Sequence, residues 1–365
     1  MKIEKLSIVK KAMAGLVIGA MSITGVMAEE ITFDRVELII PYGPGGGSSL
    51  HGRLYSRFLK QTLPGNPDII MRNVPGAGSV VGVNEFHNTA RPDGKTISSI
   101  ASGTFLSYIV DSPEVRYPLT DFRAFLGSPF GVMVYARPDQ AGGLTDDPIE
   151  NVRKLAASRP VYGGQNAISS DMPALVALHL LGIQPVTLFG VSNGKARAAF
   201  ERGELNLNYD NMASYKSGVK PLINDGVAVP LFTFGFVAED GTINRDPMTP
   251  EIPTFFEVYE GIHGEPISGI EEDVWRSMMA IRVMSSKAFV LPVGTSDEIY
   301  EIYSKAAAEA IEMMKDDPQA QSVLGPYPQL SGVAAHRNMI DAASFSDIQK
   351  QWLRDWAREV HQVEF

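Results

Sequence analysis

Val36-Glu37-Leu38-Ile39-Ile40-Pro41-Tyr42-Gly43-Pro44-Gly45-Gly46-Gly47-Ser48-Ser49-Leu50 is the stretch that decides the fold class. Its apolar start has the length and branching of a buried strand, and the prolines and glycines end that strand. Leu50, Leu54, Phe58 and Leu59 then share one face at helical spacing. Strand, glycine loop and helix in that order make one unit of a parallel sheet covered by helices. The loop also has chemical meaning. Glycines let a backbone approach a ligand closely, and the free N–H groups at a helix start attract anions with the help of the helix dipole. No Lys-Ser/Thr pair follows, as a P-loop requires, and Ser48 stands where the dinucleotide fingerprint has its last glycine.

Further along, the same unit recurs twice. Residues 68–71 predict a second strand, Asn73-Val74-Pro75-Gly76-Ala77-Gly78-Ser79 a second glycine loop, and Val80, Val83, Asn84 and Phe86 a second helix. Residues 95–100 predict a third strand that ends in Ala101, Ser102 and Gly103. Two glycine loops at the carboxyl edge of one sheet, where α/β proteins bind ligands, point to an anion site. A second series starts at Gly131, with strands predicted at 132–135, 160–162, 186–189, 205–209 and 229–234 and helices at 149–157, 171–181 and 195–202. Asp210 ends one of these strands, placed either to face a ligand or to cap the next helix. Residues 237–269, rich in Gly, Pro and acids, read as a surface excursion. Two late helices, 296–315 and 344–360, carry apolar stripes expected in the core, the latter Ile348, Trp352, Trp356 and Val360.

The chain opens with Lys2, Lys5, Lys10 and Lys11 against one acid, Glu4, then an uncharged stretch to Val26 and small residues. That order is a secretory signal peptide, with cleavage expected after Ala28. The uncharged stretch is short of the ~20 residues that span a bilayer. With no cysteine there is no lipobox thiol, no disulfide and no zinc-thiolate site. A net charge of −10 in 365 residues makes the chain a poor nucleic-acid partner. His51, His87, His179, His263, His336 and His361 show no metal-ligand spacing, and nothing implies a cofactor. One enzyme signature stands out. Gly190-Val191-Ser192-Asn193-Gly194 matches the G-x-S-x-G elbow between a strand and a helix, so a secreted serine esterase using Ser192 with His336 or His361 is the alternative reading.

Taken together, the motifs resemble the Bug-type (TctC-type) solute receptors of tripartite tricarboxylate transporters over nearly the whole length after the export segment. Pro41-Tyr42-Gly43-Pro44-Gly45-Gly46-Gly47-Ser48-Ser49 is similar to that family's first loop, Asn73 to Gly82 to its second, and Pro92-Asp93-Gly94-Lys95-Thr96 to its Pro-Asp-Gly-x-Thr. Gly194, Arg202-Gly203-Glu204, Asp210 and Pro253-Thr254 with Glu257 continue the series. Three positions depart from the pattern: the loop Asp is Ser49, the usual Tyr near Gly194 is Ser192, and Ser-Pro-Ser-His reads Ser169-Ser170-Asp171-Met172.

The resemblance implies a periplasmic, monomeric, non-enzymatic receptor of the two-domain periplasmic binding protein type (type II-like). Each domain would be a mainly parallel sheet flanked by helices, with the ligand in the cleft between them. Domain one would comprise residues 30–130 and 235–365, and domain two residues 131–234. The ligand would be a small carboxylate passed to membrane permease subunits. One carboxylate would be clamped by Gly45, Gly46, Gly47, Ser48 and Ser49 and by Pro75, Gly76, Ala77 and Gly78, beside Ser102 and Gly103, with Tyr42 as an aromatic wall. Gln165, Ser169, Ser170 and Asp210 would reach its other end. Neutral donors are the expected clamp, because closure removes the water that weakens hydrogen bonds.

Overall fold

Strand Arg35–Ile40 buries its apolar residues and pairs in parallel with Asp68–Asn73 on one side and Thr96–Ala101 on the other. This is the computed structural model of the chain, and it describes residues 31–238 and 240–365. The export segment and its expected cleavage point lie outside the described residues. Helices Gly47–Thr62, Val80–Thr89 and Ser102–Ile109 follow the three strands, the first two as their apolar spacing predicts. Strand Lys287–Leu291 then enters antiparallel to Thr96–Ala101 and to Arg123–Ser128, and Leu330–Ser331 closes the six-stranded sheet at its edge.

A second, five-stranded sheet is built from residues 132–233. Val161–Gly163 lies parallel to both Val186–Leu188 and Leu207–Asn211, while Val132–Ala136 runs antiparallel to Leu207–Asn211 and Val229–Thr233. The sheets are therefore mixed, each with a parallel half and an antiparallel half, where the sequence led to mainly parallel ones. Val132–Ala136 follows Arg123–Ser128 of the other sheet directly, so no helical crossover forces it to run parallel to its new neighbours.

Two expectations about the later chain need correction. Inside the expected surface excursion, helix Phe255–His263 buries Phe255 and Val258 completely. Phe255 packs on Trp275 at 4.1 Å and on Phe232 at 6.1 Å, so this segment covers the second sheet, although the sequence division groups it with the first. Local Gly, Pro and acid content reported the turns around the helix and hid its apolar face. On helix Asp347–His361 the buried stripe is Leu353, Trp356 and Ala357, whereas Ile348 is 71% exposed and Val360 41%. Among the described residues no helix is long and apolar enough to cross a membrane.

Candidate anion-binding site

The carboxyl ends of strands from both sheets face one cavity of about 40 Å³. On the scale where about 10 to 15 Å³ holds one water, that is room for a few waters or a compact polar group. Tyr42, Gly43, Gly46, Gly47, Ser48, Ala101 and Ser102 line it from the first sheet, and Gln165, Ser170, Ser192, Asn193, Gly194, Asp210 and Asn211 from the second. Arg282 and Lys287 complete the lining. The walls touch closely because glycines allow it. A Cβ on Gly43 would lie 3.3 Å from Ser192 Oγ, and one on Gly78 would lie inside contact distance of Ser169.

Three helices begin at this cavity without a side-chain cap: Gly47–Thr62, Ser102–Ile109 and Asn193–Glu201. The first N–H groups of a helix have no intrahelical acceptor, so these starts present donors to whatever occupies the cavity. Five helices away from the cavity are capped by their own chain. Asp147, Thr254, Ser296, Asp317 and Ser346 each accept from the first turn of their own helix.

Of the residues singled out from the sequence, Tyr42, Gly46, Gly47, Ser48, Ser102, Gln165, Ser170 and Asp210 stand on the cavity wall. Gly45, Ser49, Pro75, Gly76, Ala77, Gly78, Gly103 and Ser169 do not line it; Gly45, Pro75 and Ala77 are exposed, while several of the others hold the wall in place. Ser49 Oγ donates to the Gly43 carbonyl at 3.2 Å and accepts from Asn73 Nδ2 at 2.9 Å. The same amide nitrogen donates to the Tyr42 carbonyl at 2.7 Å, so the second motif staples the first loop. Ser169 Oγ donates to the Asn166 carbonyl and to Asp171 Oδ2, each at 3.3 Å. Gly78 and Gly103 serve close packing against Ser169 and Ser170. The ring of Tyr42 is a buried wall whose hydroxyl lies 3.3 Å from Thr104 Oγ1.

Asp210 lies within strand Leu207–Asn211 near the centre of its sheet, and it is neither free nor a helix cap. Arg197 donates to its Oδ1 at 2.7 Å and Tyr135 to its Oδ2 at 2.9 Å, although burial still raises the pKa of its carboxyl. Asp171 is likewise occupied, accepting from the Tyr162 hydroxyl at 2.6 Å and the Gln165 amide at 2.8 Å.

The expectation of neutral donors fails at Arg282 and Lys287. Both are buried, at 4% and 3% exposure, and neither forms a salt bridge with a described carboxylate. Among the described residues Arg282 Nε has no hydrogen-bond partner, and neither has the nearby buried Ser102 Oγ. Burial, then the Arg282 charge, holds the Lys287 ammonium well below the usual lysine range. The sequence offered one faint sign, a charged residue opening the apolar run Lys287-Ala288-Phe289-Val290-Leu291. Arg282 sits in the π-helical segment Ala280–Met284, where the 3.6-residue spacing that sorts helix faces is broken.

The esterase constellation is not assembled. Among the described residues Ser192 Oγ has no histidine partner, while His51 bonds Ser128 Oγ at 2.8 Å and His361 packs on Phe189 and Trp356.

The fold and this cleft define the class: the chain has the architecture of periplasmic binding proteins. Periplasmic binding protein BugD matches at TM-score 0.64 and 16% identity, covering 90% of this chain and 97% of that one. MatC from Rhodopseudomonas palustris, solved with bound malate, matches at TM-score 0.61 and 19% identity over 89% and 98% of the two chains. A second R. palustris protein, solved with adipate, matches at 0.64 and 15% over 90% and 97%. No family model matches the chain, and no curated protein does.

Proposed function

We propose that this chain is an extracytoplasmic receptor that captures a small carboxylate in the cleft and delivers it to a tripartite tricarboxylate-type permease. The observation that carries the reading is a cavity ringed by uncapped helix starts and by two buried basic side chains that have no carboxylate partner among the described residues, a lining that an anion would satisfy. The two solved structures of this fold with malate and adipate support a carboxylate as that anion. In this reading the lobes follow the two sheets and hinge where the chain crosses between them. The protein is monomeric and periplasmic, and it begins at Glu29 after export.

Thermal shift against a panel of carboxylates tests the reading. A ligand at 100 times its Kd should add about 2.7 kcal/mol of stability. If no carboxylate raises the melting temperature, the receptor reading is wrong. Turnover of generic esters, lost in Ser192→Ala, would instead establish the esterase.

A further inference from the structure

We infer that the cleft selects a compact dianion, with Lys287 and Arg282 as the residues that set its charge. The inference rests on the receptor reading above. A buried basic side chain without an anionic partner is costly to hold charged, and this cavity is lined by two. Neither nearby acid forms a salt bridge with them. Asp210 is engaged by Arg197 and Tyr135, and Asp171 lies behind the wall with its oxygens taken by Tyr162, Gln165 and Ser169.

The two basic groups border the same small cavity and touch different walls of it. A Cβ on Gly47 would lie 3.5 Å from Lys287 Nζ, so an anionic group at the start of helix Gly47–Thr62 meets that ammonium. The Arg282 guanidinium lies 5.2 Å from the Tyr209 ring, toward the second sheet, with its Nε unpartnered. A ligand that carries two negative charges and is short enough for this cavity pairs both. A monoanion leaves one buried charge bare, and that penalty discriminates against it.

Calorimetry at neutral pH, with malonate, succinate, glutarate and adipate each beside its half-amide, tests this. At least one diacid should bind about 10- to 100-fold more tightly than its half-amide, the loss expected for a charged hydrogen bond left unmade. Lys287→Met keeps length and volume, and it should bring that diacid down to the affinity of its half-amide while raising the melting temperature of the unliganded protein. Lys287→Arg should keep the preference.

Half-amides or butyrate binding as tightly as the diacids would overturn the dianion and leave the receptor standing. Inorganic phosphate binding more tightly than any diacid would support the dianion, place both charges on one head group and overturn the carboxylate. No binding by any of these anions would overturn both. Lys287→Met that stays folded by circular dichroism and keeps the diacid preference removes Lys287 from the assignment.

Discussion

Glycines in the two loops do different work, and their backbone angles tell them apart. Gly46 has φ −84°, ordinary for any residue, and a Cβ there would meet nothing nearer than the Gly43 carbonyl at 3.9 Å. Gly78 has φ +68°, and a Cβ there would fall inside contact distance of both Ser169 and Asn166. Gly46→Val should therefore fold with nearly unchanged unfolding temperature and lose at least about tenfold in anion affinity, because its side chain fills ligand space on the cavity wall. Gly78→Ala should cost about 2 to 4 kcal/mol, from a strained backbone and an overpacked contact. Chemical denaturation of both variants, followed by calorimetry on those that fold, separates the two roles. A Gly46→Val protein that binds normally would remove the first loop from the site.

At the scale of elements, some helix starts are capped by the chain's own side chains, while the three at the cavity are left open. Thr254 supplies one such cap. Its hydroxyl accepts from the Glu257 amide at 3.2 Å, and the Glu257 carboxylate accepts from the Thr254 amide at 2.8 Å. This capping box gives a physical meaning to the Pro-Thr-x-x-Glu pattern read in the sequence. It starts the helix whose Phe255 packs between Phe232 and Trp275. Thr254→Ala should cost about 1 kcal/mol in urea unfolding, the usual loss for a cap, and leave anion affinity unchanged. An affinity change would show that this helix is coupled to the cleft.

Across the whole molecule, the chain passes between the sheets at Gly131, where the backbone meets the buried Asp246. Tyr327 donates its hydroxyl toward both Asp246 oxygens, at 2.7 and 2.8 Å, and the Met248 amide donates to Oδ1 at 2.9 Å. Burial nonetheless pushes the Asp246 carboxyl up to about 6. A raised carboxyl holds its proton in the folded state at pH values where the unfolded chain has released it. Its contribution is thus largest below the unfolded value of about 3.9 and is lost as pH rises through 6. Unfolding free energy measured from pH 4 to 7 should decline by up to about 3 kcal/mol from this group. In Asp246→Asn, which keeps an acceptor for Tyr327, the decline should flatten. An unchanged profile would assign the pH dependence elsewhere.

What the sequence determined by itself was local: a strand, a glycine loop and a helix repeated in order, legible because apolar period and turn residues act within a few neighbours. Those units also pointed to the sheet edge where the cavity lies, and Tyr42, Gly46, Gly47, Ser48 and Ser102 stand on its wall. The charge of the site was decided by tertiary structure. Strand Lys287–Leu291 carries no alternation, because it is buried throughout, and its place between Thr96–Ala101 and Arg123–Ser128 comes from pairing with distant chain. That pairing sets Lys287 opposite Ala101 and brings it, with Arg282, beside the glycine loop. Whether a lysine is solvated or buried beside a helix start depends on which segments fold against it, and no local pattern encodes that.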